Sequence, residues 1–341
     1  STNLITYSEE FSDASWVKIN SSVVSGFASP SGNTNAYKLI ASVSNTDHRT
    51  RTAPITTSGV GATVTFSIYI KPQEITKIAL VDNWTNLSYG VVNLTTNSVI
   101  EEAQGTTSVT EILNGFRRVS FTYQTANINT LPAVYLLDDG YTSGNPTSYT
   151  FASDGTSGVF IWGAMLEAQS YATSYIPTEG TTKTRNQDLC TNGGDVSLIN
   201  STEGVLYAEI SALADDLTNR YITISDGSAS NRIYIRYSNV SNQIIASVSV
   251  GGALQAFMAF TSTDITQYSK IAFKWKLNDF ELYVDGISVA TDVSGISFPI
   301  NTLNKLNFST STVTQNFFGK TKCLAVFPYL SDTELTELTT I

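Results

Sequence analysis

The stretch VFIWGAMLEAQSYATSYIPTEGTTKTRNQD, which runs from Val159 to Asp188, sets the domain organisation of this chain. It begins with a short apolar run, Val159 to Trp162, of the kind that forms a buried strand. Pro177 and Gly180 follow in a Thr-rich segment that has little apolar surface to bury. The pattern predicts the last strand of one β-domain followed by a linker.

Length and composition indicate two all-β domains. A chain of 341 residues is long enough for two domains that each bury a core of their own. Charged residues make up 14% of the chain, against about 25% in typical globular proteins, while Thr, Ser, Asn, Tyr and Phe favour strands and turns. The sequence therefore predicts an all-β fold with two antiparallel β-sandwich (jelly-roll) domains in tandem. The expected boundaries are 1–178 for the first domain, 179–190 for the linker and 191–341 for the second domain.

Four motifs in the first domain carry a resemblance to a known family. The chain opens on NLITYSEEF at Asn3 to Phe11, and FSIYIK follows at Phe66 to Lys71, GFRRV at Gly115 to Val119 and WGAMLE at Trp162 to Glu167. In this order they resemble the carbohydrate-binding-module-like jelly rolls of bacteriophage tail and fibre proteins. The resemblance implies the fold of this domain and leaves its ligand open, because one fold hosts many functions.

A hairpin pattern marks the second domain. KWKLNDFELYVDG, Lys274 to Gly286, has the pattern of a strand, an Asn-Asp turn and an alternating strand that ends in Asp-Gly. This segment and the tail from Leu324 to Leu335 resemble the laminin-G-like, concanavalin-type sandwiches. Ser331 or Asp332 is expected to cap a short closing helix, with Glu334 in its first turn. Further strands are predicted at Val205–Ile210, Tyr221–Ser225, Arg232–Tyr237, Ile244–Val250 and Lys270–Leu277.

The two resemblances together imply a virion protein of the tail, fibre or head-fibre kind, with a bacterial surface protein as the other source of such modules. Such a protein is assembled in the cytoplasm of the bacterial host and is extracellular afterwards. Its implied partners are a host cell-surface polysaccharide, for adhesion, and other virion proteins. Fibre proteins of this kind are often trimers, so a homo-oligomer is expected, although no heptad segment is present to join three chains.

The charge and hydropathy patterns argue against two other kinds of partner. The formal net charge is −10 at pH 7, and clustered Lys and Arg, which neutralise the phosphates of a nucleic acid, are missing. No apolar run reaches the length of about 18 residues that a membrane-spanning helix needs. The N-terminus also lacks the basic and then apolar pattern of a secretory signal. We therefore expect no nucleic-acid partner and no membrane insertion.

Carbohydrate binding is the function that the residue pattern favours. Sugars present apolar C–H faces and many hydroxyls, so a glycan site needs exposed aromatic rings beside amides, carboxylates or phenols. The alternative is that the aromatic residues of such groups are half-buried members of ordinary sandwiches. The candidate residues are Asn83, Trp84, Tyr89, Tyr135, Asp138 and Tyr141 in the first domain and Tyr221, Asp226, Asn231 and Tyr234 in the second. Alternation puts Tyr234 and Arg236 on one face of their strand and Ile233, Ile235 and Tyr237 on the other. Trp16, Trp162 and Trp275 lie inside strand patterns and are assigned to cores.

Motifs for catalysis are sparse. His48 is the single histidine, and since no local motif supplies a nucleophile beside it, we interpret it as an exposed residue at a strand edge. The pairs Asp138-Asp139 and Asp215-Asp216 cannot flank one glycosidic bond, because neighbours on a strand point to opposite faces. The sequence also lacks metal-binding spacings and phosphate loops. It predicts a non-enzymatic protein, with a polysaccharide-degrading enzyme of the concanavalin-like class and a purely structural virion protein as the alternatives.

The pattern requires neither a cofactor nor a disulfide. Related carbohydrate-binding jelly rolls often hold a structural calcium ion through an acid after the opening Phe and another in the last strand. The corresponding residues here are Ser12 and Trp162-Gly163, so the sequence predicts no cofactor and argues against calcium. Cys190 and Cys323 lie near the two ends of the second domain, where a jelly roll can bring them together, and two buried thiols are the alternative to a bridge.

Overall fold

The structure, a computed structural model, describes residues 1–111, 114–186 and 190–341. The chain divides into two compact units, Ser1–Gln187 and Asp188–Ile341. In both units the paired strands are antiparallel, which confirms the predicted all-β class with two sandwiches in tandem. Residues 187–189 of the predicted linker lie outside the described residues. Among the described residues, no helix has the length and apolar character needed to cross a membrane.

The first unit is a sandwich of two six-stranded sheets. Sheet A has the order β10-β9-β8-β14-β5-β2, and sheet B has the order β11-β12-β7-β15-β4-β3. A 3-10 helix, Pro146–Ser148, is capped by Asn145. The strands are β1 (Thr2–Asn3), β2 (Trp16–Ile19), β3 (Ser21–Phe27), β4 (Ala36–Ala41), β5 (His48–Thr52), β6 (Ile55–Thr56), β7 (Thr63–Pro72), β8 (Lys77–Asp82), β9 (Tyr89–Asn93), β10 (Ser98–Ala103), β11 (Gly105–Glu111), β12 (Arg117–Gln124), β13 (Asn129–Thr130), β14 (Pro132–Leu137), β15 (Gly158–Glu167) and β16 (Lys183–Thr184).

The inner faces of sheets A and B enclose one apolar core. Leu80 and Val134 of sheet A and Phe66 and Val119 of sheet B are members of it, and all four are fully buried. Side chains on a strand alternate between its two faces, so every second residue of these strands can enter the core. Trp16 also lies in this core, as predicted.

The exit segment of the first unit returns to its N-terminus. β15 contains the apolar run that starts at Val159, and its pairing with β7 shifts register after Trp162, where Gly163 has a positive φ of 63°. Further on, β16 pairs with β1, and Glu179 forms a bridge with Tyr7. Several residues of the predicted linker at 179–190 therefore hydrogen bond to the first sandwich, since their backbone groups find partners there.

The second unit is a sandwich of two five-stranded sheets. Sheet C has the order β24-β23-β22-β17-β26, and sheet D has the order β21-β20-β19-β18-β25. Their inner faces share a core that includes Trp275, Ile222, Ile235 and Leu282. The elements are β17 (Gly204–Ala212), β18 (Arg220–Ser225), β19 (Arg232–Tyr237), β20 (Gln243–Val250), β21 (Ala253–Thr261), β22 (Ser269–Lys276), β23 (Asp279–Val284), β24 (Ile287–Asp292), β25 (Lys305–Asn307), β26 (Gly319–Phe327) and the helix α1 (Asp332–Thr339).

The local signals of the second domain are confirmed. β22 and β23 form the predicted hairpin, with the turn at Leu277 and Asn278, one residue before the predicted Asn-Asp turn. β23 turns into β24 through Asp285 and Gly286, which both have positive φ, as a type I′ turn requires. The helix α1 begins after Ser331, whose hydroxyl accepts from the backbone N–H of Glu334 while the Glu334 carboxylate accepts from that of Ser331. The capping box satisfies two backbone donors that the first turn would leave without partners. The predicted strands of this unit are also present, with ends displaced by at most a residue or two.

The predictions for three residues, His48, Cys190 and Cys323, are wrong. His48 is fully buried in β5, and its Nε2 and Nδ1 lie 2.9 and 2.7 Å from the carbonyl oxygens of Phe151 and Asn20. Burial is tolerated because Nε2 can donate to the Phe151 carbonyl while Nδ1 accepts from the backbone N–H of Ser42 at 3.3 Å. Cys190 and Cys323 are both free and exposed, so they form neither the bridge nor the buried pair. Cys323 is exposed because β26 is an edge strand of sheet C.

Candidate functional site

The first-domain candidates come together on the outer face of sheet A. Tyr89, Tyr135 and Tyr141 belong to a second apolar cluster there, and none has more than 8% of its surface exposed. Trp84 is different, because 39% of its surface is exposed at the turn between β8 and β9. The three tyrosines thus pack the sheet face, and Trp84 presents ring surface to solvent.

Hydrogen bonds join these tyrosines to polar side chains. Asn83 donates to the Tyr135 hydroxyl at 2.9 Å. The hydroxyls of Tyr89 and Tyr141 both donate to the Glu101 carboxylate at 3.2 Å. Burial, together with the negative charge of Glu101, raises the pKa of both phenols. The two phenols are therefore neutral at physiological pH, and their hydroxyls hold the Glu101 carboxylate by donating to it.

Asp138 completes the group from the strand end after β14. It accepts a hydrogen bond of 2.5 Å from the Tyr149 hydroxyl. The Tyr149 ring meets Tyr141 edge-on, with the ring centroids 5.2 Å apart. Burial and the bond to Asp138 raise the pKa of Tyr149 to about 12. Through Glu101 and Tyr149, three candidates form one group, Tyr89, Tyr141 and Asp138. Asn83 and Tyr135 form a second group, and Trp84 follows Asn83 in the chain.

The Trp84 turn is held in one conformation. The buried Asp82 Oδ1 accepts from the backbone N–H of Trp84 at 3.2 Å, from that of Leu131 at 3.1 Å and from the Thr130 hydroxyl at 3.0 Å. Asn86 adopts a positive φ of 61°, and its carbonyl accepts from the Asn145 side-chain amide at 3.0 Å. The aromatic ring of Trp84 is thus displayed on a backbone anchored from two sides, with amide side chains beside it.

A separate cleft opens at the start of the chain. It has a volume of about 620 Å³ and lies between the opening segment, β3, β4 and the exit segment. Glu9 accepts from Asn35 at 2.5 Å and from the Tyr175 hydroxyl at 2.9 Å. Glu10 accepts from the Tyr37 hydroxyl. Carboxylates and phenols in such a cleft can bind the hydroxyls of a small polar ligand.

The second-domain candidates divide into two pairs. Tyr221 and Tyr234 lie on the outer face of sheet D with their ring centroids 5.0 Å apart. Asp226 and Asn231 are hydrogen bonded to each other at 2.8 Å, at the end of the β18–β19 hairpin. The predicted alternation on β19 is confirmed, because Ile233, Ile235 and Tyr237 belong to the core while Tyr234 does not.

The displaced carboxyl pKa values do not suit acid catalysis. The pKa of Asp13, Asp195 and Asp264 is lowered mainly by hydrogen bonds from nearby serine or threonine residues. The pKa of Glu74 is lowered by its bond to Lys38. A glycosidase needs one carboxyl group with a raised pKa to protonate the leaving oxygen, and these groups are shifted in the opposite direction.

The residues at the expected calcium position do not fit the ion. The Lys18 ammonium donates to the carbonyl oxygens of Phe11, Ser12, Asp13 and Trp16 at distances of 2.7 to 3.2 Å. These oxygens are the hard ligands that calcium prefers, but here they surround a positive charge of the protein. Among the described residues, no group of three or more His, Cys, Asp or Glu side chains could hold a metal.

Sequence reasoning missed the polar residues that organise these sites. Glu101 lies on β10 and binds Tyr141, which is distant in the chain. Glu9 and Glu10 belong to the opening motif, which signalled a fold and gave no sign of a cleft. Only pairing between distant strands brings these groups together.

Comparisons with known proteins give likenesses in structure alone. No protein-family model and no curated protein matches the chain. The CBM40 module of the Ruminococcus gnavus IT-sialidase, bound to α2,3-sialyllactose, is 17% identical with a TM-score of 0.35, over 40% of this chain and 83% of that one. Domains LG4-5 of the mouse laminin α1 chain are 12% identical with a TM-score of 0.31, and the match covers 83% of this chain and 84% of that one. A putative carbohydrate binding protein from Bacteroides ovatus is 11% identical with a TM-score of 0.33, and the match covers 87% of this chain and 80% of that one. Likenesses at this level do not identify a ligand for this chain.

Proposed function

We propose that this chain is a non-enzymatic glycan-binding protein and that its first unit holds a sugar against Trp84. The observation that carries the proposal is an exposed indole on an anchored turn, 39% accessible. Asn83 and Asn86 lie on the same turn and are hydrogen bonded to each other, and Asn145 donates to the Asn86 carbonyl. The apolar C–H face of a sugar packs on an aromatic ring, and amides offer both donors and acceptors to its hydroxyls.

Rigidity of the turn favours this use of Trp84. Ordering a mobile loop on binding costs free energy, and a turn that is already ordered avoids that cost. Asp82 supplies the order here, since a single carboxylate oxygen accepts from two backbone N–H groups and one hydroxyl. A buried acid at the base of the turn is thus part of the proposed site.

The biological setting that we propose is attachment of a virus to its host. The opening and closing motifs of the first domain resemble those of phage tail and fibre modules, and this resemblance supports a virion protein that adheres to a host cell-surface polysaccharide. Assembly as a homo-oligomer alongside other virion proteins belongs to the same proposal. Imaging of purified particles with an antibody against this chain tests the setting, and an unlabelled particle contradicts it.

Substitution of Trp84 tests the glycan site. Trp84→Ala removes the stacking surface and is expected to weaken binding of a glycan selected on an array by about tenfold, equivalent to about 1.4 kcal/mol. Titration calorimetry gives the affinity. Leu87→Ala is the matched control, because Leu87 is 54% exposed on the same turn and has no ring. Its affinity is expected to stay within about twofold of the original.

Two outcomes would contradict the proposal. If Trp84→Ala kept the glycan affinity and Asn35→Ala lost it, the glycan would bind in the cleft beside Glu9 instead. Release of new reducing ends from a polysaccharide incubated with the protein would show an enzyme instead.

A further inference from the structure

Two arginines on the outer face of sheet D are without acidic partners. Arg232 and Arg236 lie on β19 with Tyr234 between them, and all three side chains point away from the core. Neither arginine forms an ion pair with any of the described residues, whereas Arg49, Arg220 and Lys274 do. Arg51 and Arg118 of the first unit likewise have no ion pair within the part of the chain that the structure describes, so what sets Arg232 and Arg236 apart is that they share one outward face.

Aromatic rings hold both guanidinium groups in place. The Arg232 Cζ lies 5.3 Å from the ring centroid of Tyr234, and the Arg236 Cζ lies 5.3 Å from that of Tyr221. Arg236 also donates to the Asn219 side chain. Stacking of this kind orders a guanidinium. The Nε of each arginine is buried without a hydrogen-bond partner in the described ranges of the chain, so the terminal Nη groups are the donors that remain for a carboxylate or sulfate.

The neighbouring strands complete a polar face around the arginines. Ser225 of β18 pairs with Arg232 of β19 on one side and with Lys305 of β25 on the other. Tyr234 pairs with Thr223 of β18 and with Ser247 of β20, and Ser247 in turn pairs with Phe257 of β21. We name these outward residues around Arg232 and Arg236 the arginine face. Phe257 is 51% exposed, and the Thr223 hydroxyl is fully buried with no hydrogen-bond partner among the described residues. The exposed Phe257 ring can pack against the apolar face of a ligand, whereas the Thr223 hydroxyl is covered and is not open to one.

The spacing of the two arginines restricts the ligand. They are four residues apart on one strand, so their Cα atoms lie about 13 Å apart at a rise of about 3.3 Å per residue. One carboxylate cannot bridge that distance, and a chain that carries repeated acidic groups can. We propose that the arginine face of the second unit binds a polyanionic saccharide, carboxylated or sulfated, through Arg232 and Arg236.

A saccharide accounts for the face better than a nucleic acid does. A nucleic acid is held by many phosphate contacts, and this face offers Arg232, Arg236 and Lys305 as its cations. The exposed Phe257 ring suits the C–H face of a sugar. The site is also distinct from the Trp84 turn, since the two lie in different units.

The test uses the full chain and four probes. These are alginate as a polyuronate, dextran sulfate as a sulfated glucan, unmodified dextran and a single-stranded oligonucleotide. We expect one or both anionic saccharides to bind in low salt. Arg232→Gln and Arg236→Gln should each weaken that binding by about tenfold, and the double variant should abolish it. Binding of alginate but not of dextran sulfate would identify the carboxylate as the ligand group. Binding of dextran sulfate but not of alginate would identify the sulfate.

A matched control separates the face from net charge. Lys320→Gln changes the charge of the protein by the same amount, at an exposed position on β26 of sheet C, and should leave the affinity within about twofold. Thermal melting checks that each variant is folded. If either arginine variant unfolds, Phe257→Ala and Lys305→Gln replace them, with a loss of affinity expected in each.

Four results would overturn the inference. They are the absence of binding to both anionic saccharides, equal binding of unmodified dextran, tighter binding of the oligonucleotide than of either saccharide, and full affinity in the folded double variant. Each probe is also titrated against Trp84→Ala, in which the stacking surface of the first unit is absent, so that the binding measured there belongs to the arginine face. A failed Trp84 proposal and a failed arginine-face proposal can therefore be told apart.

Discussion

At the scale of single residues, buried polar groups fix the surfaces that face solvent. Asp82 anchors the Trp84 turn and Glu101 fixes two tyrosines. Lys18 holds the opening loop by donating to four carbonyl oxygens. Burial lowers the pKa of Lys18, and the charge of Asp13 partly opposes that shift. A polar side chain with several partners is costly to remove, because its partners lose their bonds as well.

Removal of the Lys18 ammonium should destabilise the first unit. Lys18→Met leaves four carbonyl oxygens short of a donor, and we expect a loss of about 2 kcal/mol in the free energy of unfolding, measured by denaturant titration. Lys38→Met removes an ion pair with the half-exposed Glu74 and should cost less than about 1 kcal/mol. Calcium should leave the melting temperature of the unmodified protein unchanged, and a rise of several degrees would contradict the role given to Lys18.

At the scale of elements, hairpins and their contacts tie the second sandwich together. Lys274 on β22 lies 2.8 to 3.1 Å from the carboxylates of Asp279, Glu281 and Asp332. Although burial alone lowers the pKa of Lys274, these hydrogen bonds outweigh it, and the net shift is upward. Asp332 is the first residue of α1, so this one ammonium joins the β22–β23 hairpin to the closing helix.

Loss of the Lys274 ammonium should loosen the closing helix. Lys274→Met leaves three carboxylates close together without their cation, and we expect the unfolding free energy to fall by about 2 kcal/mol. Lys276→Met is the control, because its partner Glu203 and Lys276 itself are both partly exposed, and its cost should stay below about 1 kcal/mol. Equal effects of the two substitutions would show that Lys274 has no special role. Hydrogen exchange along 332–339 reports on the helix directly.

At the scale of the whole molecule, ionisable groups limit stability at both ends of the pH range. Hydrogen bonds lower the pKa of Asp195 and Asp264 in the folded state. Burial raises the pKa of Tyr207 and Tyr283 to about 12. Folding therefore favours the charged carboxylates and the neutral phenols.

The melting temperature should be highest between about pH 5 and pH 9. A lowered carboxyl pKa contributes stability above the unfolded value of about 4, and that stability is lost as the pH falls through the folded pKa. A raised phenol pKa contributes stability below the unfolded value of about 10, and that stability is lost as the pH rises toward 12. Differential scanning calorimetry from pH 3 to pH 11 measures the curve. A melting temperature independent of pH would contradict the assignment of these groups.

The sequence by itself determined the features that depend on neighbouring residues. Alternation fixed the faces of β19, the Asp285-Gly286 pair fixed a type I′ turn, and Ser331 with Glu334 fixed the start of α1. These signals act over a few residues, because turn geometry, capping and the two-residue period of a strand are local properties of the backbone.

Only the tertiary structure decided which of these residues face solvent. His48 and four candidate tyrosines, Tyr89, Tyr135, Tyr141 and Tyr234, are buried because strands and loops distant in the chain cover them. Cys323 is exposed because its strand is at a sheet edge. The unpaired arginines of β19 likewise became visible only once the ladder had placed Tyr221 under Arg236. Burial and charge pairing depend on contacts between distant segments, and no local pattern of residues specifies those contacts.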